Sequence, residues 1–134
     1  MTPATIDVLD DDRAFRDSLG FVLSAHGFAV RMHADPVAFL QTAPNQVPDC
    51  LICDVRMRGM SGLEVTRALR TRGLQTRVVL VTGQADATLR ECALEAGASQ
   101  ILEKPFAPHE LITALRAILS SRISRMMVDT ARLP

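Results

Sequence analysis

A short apolar run that stops at an acid constrains the fold of this chain more than any other feature. Residues 51–53 have the character of a buried strand, Asp54 follows them directly, and a glycine-containing loop comes next. In open α/β sheets, ligands bind along the rim where the carboxyl ends of the strands lie. Asp54 is therefore a candidate functional acid, although on its own it is equally suited to a turn or a helix cap.

Apolar runs alternate with helical repeats along the rest of the chain. Further strands are predicted at residues 4–9, 28–33, 77–81 and 99–102. Predicted helix starts follow capping residues or prolines, and predicted helix ends fall at glycines: the starts are Asp12, Asp35-Pro36, Ser61, Asp86 and Pro108, and the ends are Gly27, Gly73 and Gly97. Five strands alternating with five helices predict a parallel α/β sheet with helices on both faces and right-handed crossovers. This pattern leaves the strand order open.

Length and charge limit the classes of protein to consider. The 134 residues suit one compact domain, and 15 acidic against 15 basic residues give no net field to attract nucleic acid or an anionic membrane. No apolar run approaches the ~18 residues of a membrane span, and the first residues lack the apolar stretch of a secretory signal. We therefore predict a cytoplasmic protein.

The cysteines and histidines do not predict redox or zinc chemistry. Three cysteines, an odd number, argue against a disulfide scaffold. Cys50 and Cys53 would lie on opposite faces of a strand, about 10 Å apart, beyond the ~7 Å that a disulfide can bridge. His26, His33 and His109 lack the spacing of metal ligands.

Polar residues recur where predicted strands end. These residues are Asp10 and Asp11 after the first strand, Asp54 after the third, Thr82 after the fourth and Lys104 after the fifth. Parallel strands would gather them on one rim, where the carboxylates repel one another unless cations are present. Lys104 and a hard divalent cation would offset that repulsion. Mg²⁺ fits best, since it favours octahedral oxygen coordination and takes one or two carboxylates along with waters or phosphate oxygens.

The order and spacing of these motifs resemble the receiver domain of two-component response regulators, over roughly residues 4–120. Most similar is the FixJ-type subfamily of transcription regulators. The matching motifs are Asp10-Asp11, Asp54 with Met57-x-Gly59-Met60-Ser61-Gly62, Thr82-Gly83 and Lys104-Pro105-Phe106, and, for the subfamily, Gly27–Val30, Asp54–Met57, Ser61–Glu64 and Glu103–Phe106.

The resemblance implies a flavodoxin-like sheet of order 2-1-3-4-5, which sets the first and third strands side by side. It implies that Asp54 accepts a phosphoryl group from a sensor histidine kinase. Asp11, Asp54 and the backbone carbonyl of Arg56 would hold Mg²⁺, with Asp10 helping through water. Lys104 would pair with one phosphoryl oxygen and Thr82 would donate its hydroxyl to another. The Lys104-Pro105 bond would be cis, and the protein would be a signalling domain rather than an enzyme.

The family also implies a switch, on which two departures bear. Phosphorylation would shift residues 83–97 and, with them, an output face formed by the fourth helix, the fifth strand and the fifth helix. This face is often used for phosphorylation-dependent dimerisation. We expect no direct binding of this domain to nucleic acid or to a membrane. Ile101 stands where the family usually has an aromatic residue, which predicts looser coupling. Arg58 replaces the family's usual proline, which predicts a more mobile loop and an altered phosphoryl lifetime or kinase preference.

The predicted domain division is a receiver at residues 1–120 and a helical extension or linker at 121–134. FixJ-type regulators carry a DNA-binding domain after the receiver. The sequence leaves open whether the chain is a stand-alone receiver or part of a longer protein.

Three other functions compete with a phosphorylated receiver. An aspartyl-phosphate phosphatase of the haloacid dehalogenase type would need a second acid two residues after Asp54, where Arg56 stands. A flavin or nucleotide binder would need a Gly/Ser/Thr-rich phosphate loop after the first strand, where residues 10–12 are acids. A pseudo-receiver that acts only as an interaction module stays open because of Arg58 and Ile101.

Overall fold

The computed structural model describes residues 2–43 and 45–120 in full and the backbone of residues 121–132. Five strands alternate with five helices in the predicted order. The strands are β1 (Thr5–Leu9), β2 (Ala29–His33), β3 (Cys50–Asp54), β4 (Arg77–Thr82) and β5 (Gln100–Glu103). The helices are α1 (Arg13–Ala25), α2 (Pro36–Thr42), α3 (Gly62–Thr71), α4 (Ala87–Ala96) and α5 (Pro108–Arg132). The α/β prediction is confirmed, with element bounds shifted by only a few residues.

All strand pairs are parallel, and the strand order is 2-1-3-4-5, as the resemblance implied. In the register of β1 with its two neighbours, Leu9 stands opposite both His33 and Cys53. The carboxyl ends of β1 and β3 are therefore level, and the residues that follow them emerge side by side. This register places the first two predicted acids next to the third.

Apolar side chains fill both faces of the sheet. On one face β3 and β4 pack against α2, α3 and α4; this α2/α3/α4 core includes Leu51, Cys53, Leu80, Phe39, Val65 and Ala93. On the other face they pack against α1 and α5; this α1/α5 core includes Cys50, Ile52, Val79, Leu23 and Leu111. The prediction of helices on both faces of the sheet is confirmed.

Cys50 and Cys53 belong to different cores, so the sheet itself separates them. Burial raises the pKa of the Cys50 thiol to about 12, and burial also raises the pKa of Cys53. Both thiols are therefore neutral, packed side chains at physiological pH, as the sequence predicted.

Helix ends follow the predicted capping chemistry. The side chains of Asp12, Asp35, Ser61 and Asp86 each accept a hydrogen bond from the backbone N–H three residues later. Gly97 ends α4 with φ +96°, a conformation that side chains rarely allow. Among the described residues, no helix has the length and hydrophobicity needed to cross a bilayer.

Helix α3 begins in direct contact with the end of β3. The N–H of Gly62 donates to the carbonyl of Val55 at 2.9 Å. A Cβ atom at position 62 would lie 2.5 Å from the backbone oxygen of Asp54 and 3.0 Å from the Leu80 side chain. Only glycine allows this approach, and the approach fixes the backbone on which Asp54 sits.

Helix α5 continues to Arg132, through most of the segment predicted as an extension or linker. The side chains of residues 121–132, which include the apolar positions Ile123, Met126 and Met127, lie outside the described part of the chain. The boundary at residue 120 and the connecting role of 121–134 stay predictions.

Candidate functional site

Three carboxylates meet at the rim of the sheet. Asp10 and Asp11 follow β1, and Asp54 is the last residue of β3. Each offers one oxygen atom, and these oxygens all lie within 4.8 Å of one another. The three residues are called the acid cluster below. The structure therefore brings together the acids that the sequence singled out, although Asp54 lies far from the other two along the chain.

Lys104 joins the acid cluster from the loop between β5 and α5. Its Nζ lies 3.4 Å from Asp10 Oδ2 and 3.4 Å from Asp54 Oδ1. The backbone holds the residue in place, because the Lys104 N–H donates to the carbonyl of Thr82 at 2.7 Å. The Lys104-Pro105 bond is cis, as predicted.

Phe15 provides a further contact to Lys104 that was not predicted from the sequence. The ammonium stands 3.8 Å from the centroid of the Phe15 ring, in the arrangement of a cation–π interaction. The Phe106 ring packs edge-on against Phe15, with centroids 6.2 Å apart. From the sequence, Phe15 is simply one of the apolar positions of α1. A usable signal was its place in the first turn, just after the acids and on the same rim.

Asp10 is fixed by its own loop. Its Oδ1 accepts from the Asp12 N–H at 2.9 Å, and its carbonyl accepts from Arg16 Nη1 at 2.8 Å. With Oδ2 facing Lys104, both carboxylate oxygens of this residue, which is 1% exposed, have partners. Asp11 is exposed, and its Oδ2 accepts a hydrogen bond from the backbone N–H of Arg58 at 3.0 Å.

The electrostatics of the cluster favour a bound cation. Burial raises the pKa of Asp54, the negative charge of Asp10 raises it further, and Lys104 opposes both effects. Three carboxylates face a single ammonium, so the rim has an excess of negative charge when all three acids are ionised. That excess makes ionisation of the half-buried Asp54 carboxyl unfavourable unless another positive charge arrives.

The donor set fits Mg²⁺. All three side chains offer oxygen, the ligand atom that hard divalent cations prefer, and Asp11 leaves the cluster open to the water that Mg²⁺ retains. The three oxygens lie within 4.8 Å of one another, and this limit is only slightly longer than the roughly 4.2 Å that separates opposite ligands of an octahedral Mg²⁺. Small side-chain rotations or a bridging water would therefore complete the coordination.

Three further residues that the sequence singled out have other surroundings. Thr82 is buried at the end of β4, and its Oγ1 accepts from the Gln84 N–H at 3.3 Å, so the hydroxyl is engaged with its own loop. Arg56 is exposed in the loop after β3. Ile101 packs partly buried against the α2/α3/α4 core.

Comparison with known sequences identifies a family. Residues 6–116 match the family described as response regulator receiver domain. The chain is 39% identical over 127 residues to the transcriptional regulatory protein FixJ of Azorhizobium caulinodans, covering 95% of this chain and 60% of that protein. It is 41% identical over 117 residues to the response regulator MprA of a Mycobacterium species, covering 87% and 51% respectively. The chain thus spans about half to two thirds of the length of these relatives.

Comparison with solved structures agrees. The crystal structure of FixJ-N superposes with a TM-score of 0.82 at 36% identity, covering 90% of this chain and 96% of that one. A CheY-like receiver domain protein from Methanospirillum hungatei gives a TM-score of 0.85 at 26% identity, covering 92% and 98%. The fold and the strand order are therefore those of this structural class.

Proposed function

This chain belongs to the response regulator receiver domain family, and from that premise we propose that Asp54 accepts a phosphoryl group from the phosphohistidine of a sensor kinase. The Asp54 carboxylate attacks phosphorus, an O–P bond forms and the P–N bond to the histidine breaks. The imidazole leaves with the bonding electrons and takes up a proton. The product is an acyl phosphate on this domain.

The surrounding residues would share the charge of the transferred group. Lys104 would pair with one phosphoryl oxygen, which its distance of 3.4 Å from Asp54 Oδ1 supports. The Thr82 hydroxyl would exchange its contact with Gln84 for another phosphoryl oxygen. Asp11, Asp54 and the Arg56 carbonyl would hold Mg²⁺, with Asp10 assisting through water. A bound Mg²⁺ would neutralise negative charge on the phosphoryl group and on the acids.

One observation carries this proposal: the single ammonium of the rim lies equally close to the proposed phosphoacceptor and to the buried Asp10. A phosphoryl group carries about 1.5 to 2 negative charges and three acceptor oxygens. The site therefore needs a cation that can leave one carboxylate and pair with the new group. Lys104 can do this by a small movement, because Asp10 retains its hydrogen bond from Asp12.

The test is phosphorylation by a small donor. The protein is incubated with Mg²⁺ and acetyl phosphate or phosphoramidate, and intact mass is measured. We expect one added phosphoryl group, absent in Asp54→Asn and present in the control Asp17→Asn, which alters an exposed acid on α1. Hydroxylamine should remove the group, as it does from acyl phosphates. An adduct that survives in Asp54→Asn would overturn the assignment.

Phosphorylation would then alter the output surface. Movement of Thr82 toward the phosphoryl group would shift residues 83–97, which follow it directly in the chain. The Ala85 N–H donates to Glu103 Oε1 at 2.9 Å, so a shift of the loop before α4 would also reach β5. A phosphorylation-dependent homodimer through α4, β5 and α5 is the output we propose, with residues 121–134 connecting the receiver at 1–120 to any following domain. A pseudo-receiver would instead bind its partner equally well as wild type and as the Asp54→Asn variant.

A further inference from the structure

One hydrogen bond joins the two loops that carry the acid cluster. The backbone N–H of Arg58, in the loop between β3 and α3, donates to Asp11 Oδ2 at 3.0 Å. The two residues are 47 positions apart in sequence. Within the described part of the chain, this is the only hydrogen bond that the Asp11 carboxylate accepts. Asp11 is exposed, so without this bond its side chain would be free to turn into solvent.

We propose that the backbone amide of Arg58 is a positioning group for the metal site. It holds the Asp11 carboxylate through Oδ2 and so limits the directions in which this side chain can turn. This inference rests on the proposed function, since it concerns the same Mg²⁺. Its physical basis is that carboxylates that ligate metals are commonly held by an outer hydrogen bond, and that losing such a partner weakens metal binding.

The amide and the side chain of Arg58 act in opposite directions. The guanidinium is an exposed positive charge on a loop of the metal site, and it disfavours an arriving cation by an amount that salt screens. The amide favours that cation by orienting Asp11. Every residue except proline supplies the amide, so the two contributions can be separated by the choice of substitution.

The experiment compares Arg58→Ala with Arg58→Pro, which lose the same charge but differ in the amide. Mg²⁺ affinity is measured by calorimetry and by amide NMR titration of the unphosphorylated protein. We expect Arg58→Ala to bind Mg²⁺ as tightly as wild type or slightly more tightly. Arg58→Pro should bind about three- to tenfold more weakly than Arg58→Ala, toward the lower end of outer-shell effects because the bond is exposed.

A third variant isolates the N–H from the proline ring. An ester in place of the amide between Met57 and residue 58, with alanine at 58, removes the donor and keeps the shape of the backbone. We expect its Mg²⁺ affinity to match that of Arg58→Pro, and urea unfolding to show that all variants remain folded. If Arg58→Pro fails to fold, the comparison of the ester variant with Arg58→Ala still tests the role of the N–H.

The outcomes separate this inference from the proposed function. Equal Mg²⁺ affinity in the alanine and ester variants would overturn the role of the amide, while phosphorylation at Asp54 would stand. A wild-type protein that binds no Mg²⁺ would overturn both. Weak binding in Arg58→Ala as well as in the ester would assign the effect to the side chain and would also overturn the inference.

Discussion

Strand β1 contributes two buried carboxylates that have opposite surroundings. Asp7, within the strand, and Asp10, just beyond its end, are each 1% exposed. Asp7 is held by Arg31 through two hydrogen bonds, at 2.7 and 3.2 Å, and His33 Nε2 lies 3.6 Å away. Asp10 faces two further acids and shares one ammonium with Asp54 at 3.4 Å.

The difference is between a carboxylate whose charge the protein offsets and one whose charge it offsets only in part. Around Asp7 the protein supplies its own counter-charge in a two-point geometry, and Arg31 also bonds Gln46, which ties the edge strand β2 to the segment ahead of β3. Around Asp10 the protein supplies too little positive charge. A buried carboxylate of the first kind maintains the fold, whereas the second kind leaves an excess of negative charge on the rim that an added cation would offset.

The largest effect on stability should come from breaking the Asp7–Arg31 pair. Arg31→Met leaves Asp7 buried without its main partner, and the free energy of unfolding should fall by about 2–3 kcal/mol, less than for a fully buried pair because Arg31 is partly exposed. Urea unfolding measures this. Arg31→Lys should lose only part of that amount, and Asp7→Leu combined with Arg31→Met should recover most of it. An unchanged urea midpoint for Arg31→Met would contradict the structural role of the pair.

Neutralising a carboxylate at the rim should raise the free energy of unfolding, the opposite of the effect of Arg31→Met. Asp54→Asn removes repulsion with Asp10, so the free energy of unfolding without Mg²⁺ should rise by about 1 kcal/mol. The same change at the balanced site, Asp7→Asn, should lower it. Mg²⁺ should stabilise wild type more than Asp54→Asn, which thermal unfolding with and without the ion measures. A loss of stability in metal-free Asp54→Asn would contradict the comparison.

The pH dependence of that stability difference follows from the raised pKa of Asp54. An acid whose folded pKa lies above its unfolded value, about 3.9, binds its proton more tightly in the native state. Its favourable contribution is therefore present below the unfolded pKa and is lost as pH rises through the folded pKa. The stability advantage of Asp54→Asn over wild type should grow across that range and then level off, and unfolding of both proteins from about pH 4 to about pH 8 tests this.

The smallest effect concerns the orientation of Lys104. Phe15→Leu keeps an apolar side chain but removes the ring face beneath the ammonium, which is worth about 0.5–1 kcal/mol. The rate of phosphorylation by phosphoramidate should fall about two- to fivefold. Phe106→Leu, which leaves the Phe15 ring under Lys104, serves as the control and should stay closer to wild type. Equal rates in the two variants would argue that packing alone, rather than the ring face, matters.

The fold and the acid cluster were predictable because their signals are local. Apolar runs, helix caps and strand-ending acids can each be recognised within a few residues of sequence. Parallel strands then bring their carboxyl ends together on one rim. The Asp7–Arg31 pair was not predicted: the implied strand order sets β1 beside β2, but the pair also depends on the register that puts Asp7 opposite Arg31, and periodicity does not give the register. The hydrogen bond from Arg58 to Asp11 was not predicted for another reason: its donor is a backbone amide, and almost every residue type supplies one, so the residue type gives no signal.

The tight seating of Gly62 has a consequence for anyone who wishes to re-engineer this domain. A methyl group there would press on the carbonyl of Asp54, so even alanine would displace the end of β3. Randomised libraries that seek altered signalling should hold this codon fixed and concentrate diversity at Arg56 and Arg58, with proline left out at position 58. Useful variants are expected at these two positions, because their side chains are exposed, whereas Gly59 has φ +90° and also favours glycine.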